Sequence, residues 1–255
     1  MELRRTFNED EYNYDKARPG YPTELFQDIF ASASLDSNSQ LMEIGIGTGQ
    51  ATLPFLKTGA SLVAVELGEN LAEFVQDKYK DYPNFSVAVA DFMDVPVLEN
   101  NYDLIYSATA FHWLPKPDSY LKVKQSLKEG GKIVLFWNHP FVSRDSDATN
   151  LANRAVYDYY RPSNKPQIEF SKKDTELIIK ELEEAGFKNI QSKLYTRTRT
   201  LSTEQYLELL NTYSDHRALA DELKTTFEKE MSKALQKVGN KINIYDTIDL
   251  YIAEK

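Results

Sequence analysis

Apolar positions along the chain follow two alternating rhythms. Short apolar runs at 41–44, 61–65, 86–90, 104–106 and 132–137, bounded by Gly, Asp or Asn, predict buried strands. Between them, helical spacing predicts amphipathic helices over 23–33, 50–57, 70–80 and 119–128, the last stopped by Gly130-Gly131. Strands and helices in alternation imply a parallel sheet wound by right-handed crossovers. Strands covered on both faces read as continuous apolar runs, which is what these segments show.

After Trp137 the rhythm changes. A polar stretch carries helix spacing over 151–159 and then the breakers Arg161-Pro162 and Lys165-Pro166. A strong amphipathic helix over 173–185 ends at Gly186, and 189–200 alternates like a long strand. Helical spacing returns over 203–210 and 215–237, and 242–253 has strand composition. The simplest topology puts both late strands on the same sheet, with 202–238 inserted between them as a helical lid. Within the insertion Leu223, Phe227, Met231 and Leu235 recur every fourth position, an inward stripe beneath a solvated charged face with no binding role.

Composition narrows the function. The chain has 255 residues, 42% hydrophobic and 27% charged, an ordinary globular balance that allows one enlarged domain or two small ones. Lys plus Arg minus Asp plus Glu is 30 − 39 = −9, which disfavours nucleic acid and anionic membranes as partners. With no Cys there is no disulfide scaffold, thiolate zinc site, iron–sulfur cluster or Cys nucleophile, and with three His a multi-His metal centre would need nearly all of them. No metal is expected. The opening residues are charged, without the apolar stretch of a signal peptide, and no run reaches the ~18 apolar residues of a membrane span. A cytoplasmic protein is the expectation.

The sharpest motif is Leu41-Met42-Glu43-Ile44-Gly45-Ile46-Gly47-Thr48-Gly49-Gln50, a strand feeding a glycine turn and a helix. Such a turn lets backbone approach a ligand closely and offers N–H groups to it. Its spacing is G-x-G-x-G, with Gln50 where a dinucleotide fingerprint places glycine. Glu66 ends the second strand, where a carboxylate can accept from a ribose diol, and Asp91-Phe92 ends the third, where acid and ring suit an adenine. Each acid alone reads equally as a solvated strand end. Together, at successive strand C-termini, they point to a nucleoside site.

These motifs resemble the class I S-adenosylmethionine-dependent methyltransferases, and within them the small-molecule group that includes trans-aconitate methyltransferase. The resemblance runs over nearly the whole chain. It is carried by Glu43 to Gly49, Glu66, Asp91-Phe92, Tyr102-Asp103-Leu104-Ile105-Tyr106-Ser107 leading to Phe111-His112-Trp113, Leu127-Lys128-Glu129-Gly130-Gly131, and the opening Tyr14-Asp15-Lys16-Ala17-Arg18-Pro19-Gly20-Tyr21-Pro22. It implies an α/β fold: a Rossmann-like, mostly parallel seven-stranded sheet whose last strand is antiparallel. One methyltransferase domain then comprises a cofactor-covering segment 1–33, a core of 34–201 and 239–255, and the lid 202–238. S-adenosylmethionine is the implied cofactor, held by Tyr14, Arg18, Glu43, Gly45, Gly47, Thr48, Gly49, Glu66, Leu67, Asp91, Phe92 and Ser107.

Methyl transfer from a sulfonium is an in-line displacement that needs alignment and exclusion of water, not a metal or a covalent nucleophile. A hydroxyl acceptor calls for a base, whereas a carboxylate calls for a cationic clamp. His112 is the best base candidate, set against a structural histidine bonded to a loop carbonyl. Trp113, His139, Tyr213 and Arg217 are candidate substrate contacts, each with a plain reading as pocket wall, turn or solvated helix start. Arg144, Arg197 and Arg199 are further cations for a carboxylate, set against surface arginines. The expected function is methyl transfer to a small carboxylate or hydroxyl compound. The alternatives are a cofactor-binding protein without such catalysis, a macromolecule methyltransferase and, further off, a nicotinamide-dependent oxidoreductase.

Overall fold

The computed structural model describes residues 15, 17–163 and 167–255. Seven strands, β1 (Gln40–Ile44), β2 (Ser61–Glu66), β3 (Phe85–Val89), β4 (Tyr102–Ala108), β5 (Leu127–Phe141), β6 (Lys188–Ser202) and β7 (Lys241–Glu254), form one sheet in the order β3-β2-β1-β4-β5-β7-β6. β1 to β5 run parallel, and β7 is antiparallel to both of its neighbours. The expected Rossmann-like sheet with an antiparallel last strand is what forms.

Successive strand residues point to opposite faces, so each apolar run feeds two cores. Leu41, Leu104, Tyr106 and Phe136 pack with Leu25, Phe26 and Ile29 of α1 (Thr23–Ser32) and with Phe55 of α2 (Thr52–Leu56), whose ring stacks on Tyr106 at 3.9 Å. Val75 of α3 (Glu69–Lys78) joins that layer. Met42, Ile105, Ile133 and Leu135 face the other way, against Tyr120 and Val123 of α4 (Asp118–Ser126). A third cluster unites Val156 of α5 (Ala148–Tyr160) with the helices between β6 and β7 and with Ile242 and Ile244 of β7. Ahead of β6 lies α6 (Glu176–Glu184), which buries Leu182 in the second core.

Three expectations are corrected. Gly130-Gly131 does not stop α4, which ends at Ser126; the glycines lie within β5. There a Cβ on Gly131 would meet the Tyr102 carbonyl at 3.0 Å, so glycine allows the close crossing of β4. The helix expected over 215–237 is divided. After α7 (Thr203–Leu210) come a single turn α8 (Ser214–Arg217) and then α9 (Asp221–Gln236), separated by Ala220 in extended conformation; Asp221 and Glu222 complement the new helix start. Leu223 is exposed and drops out of the apolar stripe, while Phe227, Met231 and Leu235 are buried. No helix among the described residues is long and apolar enough to cross a membrane.

Candidate active site

Strand order reverses between β1 and β4, where the crossovers from β1 leave in opposite directions and a crevice opens at the strand C-termini. A cavity of about 320 Å³ lies there. Its floor is the glycine turn, in which Gly45, Gly47 and Gly49 have φ of +71°, +56° and +80°, values that favour glycine. A Cβ on Gly45 would come within 2.5 Å of the Ala110 Cβ, whereas one on Gly47 would meet nothing within 4 Å. The turn is therefore both required by backbone conformation and open toward the cavity.

Glu66 pins this turn. Its two oxygens accept the backbone N–H of Gly47 and of Gly68, each at 2.9 Å. Burial raises its pKa and these N–H groups oppose the rise. Glu43 is 1% exposed; one oxygen accepts from Thr52 Oγ1 and the Tyr106 hydroxyl, both at 2.7 Å. Its other oxygen, Oε1, is buried without a hydrogen-bond partner, and the residue lines the cavity. Such an atom suits a ligand carrying positive charge or N–H donors.

Burial pushes the Glu43 carboxyl from 4.5 up to about 7. A raised acid favours folding while protonated, so this contribution is complete below pH 4.5 and is lost as pH rises through about 7. Glu43→Gln is expected to lose less melting temperature between pH 5 and pH 8 than the wild type, and thermal melts at the two values check it.

The structure brings most of the expected site residues together. Arg18, Glu43, Gly45, Gly47, Glu66, Leu67, Asp91, Phe92, His112, Trp113 and Tyr213 all line the cavity. Asp91 caps the turn after β3 by accepting from the Met93 N–H at 3.0 Å. Arg18 donates to Thr212 Oγ1 and the Thr212 carbonyl and lies 4.5 Å over the Tyr213 ring, joining the opening segment to the segment between β6 and β7. At His112, Nδ1 accepts from the Trp137 indole at 3.0 Å, so one ring nitrogen is already occupied.

Other expected residues lie off the cavity wall. Thr48 is buried and its carbonyl accepts from Lys78, which also pairs with Asp15 at 2.6 Å. Gly49 sits under Tyr79, whose hydroxyl donates to its carbonyl. Ser107 is a strut, donating to the Ile44 carbonyl at 2.8 Å. His139 pairs with Asp249 at 3.0 Å and stacks on Phe170, because on a strand it faces away from the flanking cavity residues Asn138 and Pro140. Arg217 is in α8 and is not among the lining residues. Tyr14 lies outside the described residues. Arg144 pairs with Glu169 and stacks on Tyr245. His216, buried in the third cluster beside Phe227 with Nε2 at 2.7 Å from the Tyr157 hydroxyl, is a core residue.

Three wall residues carried no individual motif. Thr109 has φ of +57°, which is rare for a β-branched residue, and its hydroxyl bonds Tyr21 at 2.7 Å. Asn138 follows Trp137 on β5; its Oδ1 is buried without a hydrogen-bond partner, and its Nδ2 is 3.4 Å from Asp246. Of the four arginines considered for a carboxylate substrate, Arg144, Arg197, Arg199 and Arg217, Arg199 is the one on the cavity wall. It donates twice to Asp246, which also accepts from Arg197 at 2.9 Å.

A protein-family model described as a methyltransferase domain matches residues 42–135, the stretch that builds this cavity floor. An uncharacterized methyltransferase of Schizosaccharomyces pombe is 24% identical over 254 residues, covering 97% of this chain and 94% of its own. Among solved structures, a putative type II methyltransferase of Anaeromyxobacter dehalogenans superposes with a TM-score of 0.63 at 16% identity, over 93% of this chain and 97% of that one. A Haemonchus contortus phosphoethanolamine N-methyltransferase in complex with S-adenosylhomocysteine gives 0.58 at 14% identity, over 99% and 60%. The match over residues 42–135 and the methyltransferase relatives, together with the glycine turn, the acids at the strand ends and the sheet order, support a class I S-adenosylmethionine-dependent methyltransferase.

Proposed function

We propose that this methyltransferase acts on a small anionic acceptor, a carboxylate or an ionised hydroxyl compound, bound beside Arg199. The observation that carries the proposal is charge balance at the cavity wall: Asp246, with its side chain fully buried, is shared by Arg197 and Arg199, leaving one positive charge in excess where Arg199 meets the cavity. An acceptor oxygen held there gains a charge-assisted bond. Within the family this suits the group that includes trans-aconitate methyltransferase, and a free small acid suits a cytoplasmic enzyme.

The bound cofactor supplies an electrophilic methyl on a sulfonium. For its part, the chain offers Glu66 to the ribose hydroxyls, Asp91 and Phe92 to the adenine, the open face of Gly47 to the backbone of the cofactor, and Arg18 to its carboxylate. Glu43 and Glu66, two acids beneath the cavity, complement the positive charges. The described part of the opening segment, from Arg18, and the segment 202–238 meet at the Arg18 to Thr212 bonds, a joint that would close over the ligands and exclude water.

A screen of small acids and phenols with methyl-labelled cofactor tests the acceptor class. Arg199→Gln is expected to raise KM for the acid about tenfold or more, as loss of one charge-assisted bond would, while leaving cofactor affinity unchanged. Preferential methylation of neutral compounds, with KM indifferent to Arg199, contradicts the proposal.

A further inference from the structure

We infer that His112 is a hydrogen-bond donor to the methyl acceptor, its Nε2–H held toward the cavity by the Trp137 indole, and is not a base. The inference rests on the anionic-acceptor reading and deepens it. An indole N–H donates and has no lone pair to accept with. Standing 3.0 Å from His112 Nδ1, it obliges that nitrogen to be the bare one. The single proton of the neutral ring is then on Nε2.

Trp137 is itself fixed. Its backbone N–H donates to Asp249 at 3.0 Å, its ring packs edge-on to Tyr251, and Asp249 takes the Tyr251 hydroxyl on its other oxygen. Protonating His112 would set an Nδ1–H against the indole N–H. Partial desolvation in the cavity, with smaller contributions from the neighbouring Lys116 and His139, also lowers the basicity of the ring. To act as a base through Nε2 the ring would have to move its proton to Nδ1, which breaks the Trp137 bond and strands a buried donor.

A donor at this place fits an acceptor that arrives ionised. One oxygen of the acid attacks with its own lone pair, forming the oxygen–methyl bond as the carbon–sulfur pair withdraws onto sulfur, and no proton leaves. The second oxygen of the acid, or a further lone pair of the same oxygen, takes the Nε2–H, while Arg199 holds the charge. His112 thereby orients the nucleophile along the line of displacement.

The full chain labelled with ¹⁵N-histidine tests this without a known substrate. Two-bond nitrogen–proton correlations, assigned with His139→Gln and His216→Gln, are expected to show His112 as a neutral Nε2–H tautomer from pH 6 to 8, and as a tautomer mixture in Trp137→Phe. Succinate added with S-adenosylhomocysteine is expected to shift the His112 signals saturably. With the acid returned by the screen, His112→Gln, which keeps a donor, should hold turnover within about tenfold, and His112→Glu, a base without a donor, should lose about a hundredfold. An Nδ1–H tautomer, or a Glu variant faster than the Gln variant, overturns the inference; if Trp137→Phe fails to fold, the wild-type tautomer decides. Succinate that binds by calorimetry yet leaves His112 unmoved overturns it and spares the anionic acceptor. If succinate does not bind, the acid or phenol returned by the screen takes its place, and a screen that returns neutral acceptors alone overturns the acceptor reading, and this inference with it.

Discussion

Asp246→Ala is expected to destabilise the protein by roughly 3 kcal/mol, because breaking a buried ion pair leaves an uncompensated charge. The aspartate lies directly opposite Arg197 across the β6–β7 ladder and takes hydrogen bonds from Arg197, Arg199 and Asn138. Without it two arginines two residues apart repel each other, and Arg197 Nη2, already buried without a partner, is joined by further unmet donors. The arginine side chains keep 26% and 16% of their exposure, so water relieves part of the penalty, which sets the value at the low end for buried pairs. At this chain length about 3 kcal/mol corresponds to roughly 6–12 °C in melting temperature. A loss below about 1 kcal/mol in thermal or urea unfolding would show that the cluster is a solvated surface group instead. Asp246→Asn, which keeps one acceptor, should fall between the two.

The second large effect is on cofactor affinity. Glu66 holds the N–H groups of Gly47 and Gly68 and lines the cavity. Each carboxylate oxygen has lone pairs beyond the one it gives to backbone, so ribose hydroxyls can be received without displacing the loop. Glu66→Ala removes that acceptor pair and frees the two N–H groups that fix the turn. The expected weakening is roughly 1 to 3 kcal/mol, about 5- to 150-fold in Kd. Glu66→Gln should be intermediate, since its amide can serve only one of the two N–H groups.

Much of this architecture is legible in the chain because its signals are local. Buried parallel strands are short apolar runs, and five of them appear within a few residues of where β1 to β5 form. The glycine turn, Glu66 and Asp91-Phe92 are equally local, since each is fixed by the end of its own strand. The rest of the cavity wall is built differently. Tyr21 meets Thr109 across 88 positions, Arg18 meets Thr212 across 194, and Arg199 finds Asp246 across 47. No spacing rule announces such partners. His139, just past the fifth strand, reads from sequence as pointing to the crevice, but the two-residue period of a strand turns it away and puts Asn138 on the wall instead, and Arg217, singled out by the resemblance of its segment, lies off the wall. The lone histidine that the sequence favours as a base, His112, stands in the cavity, and only the folded position of Trp137 reveals which of its nitrogens holds the proton.

In the reading proposed above, the crevice between β1 and β4 holds the cofactor through the glycine turn and Glu66. Titration calorimetry of S-adenosylhomocysteine into wild type and Glu66→Ala, both shown folded by circular dichroism, tests it most directly. One site per chain in the wild type, with Kd raised by about 5- to 150-fold in the variant, is the predicted result. Equal affinity in the two proteins would contradict it.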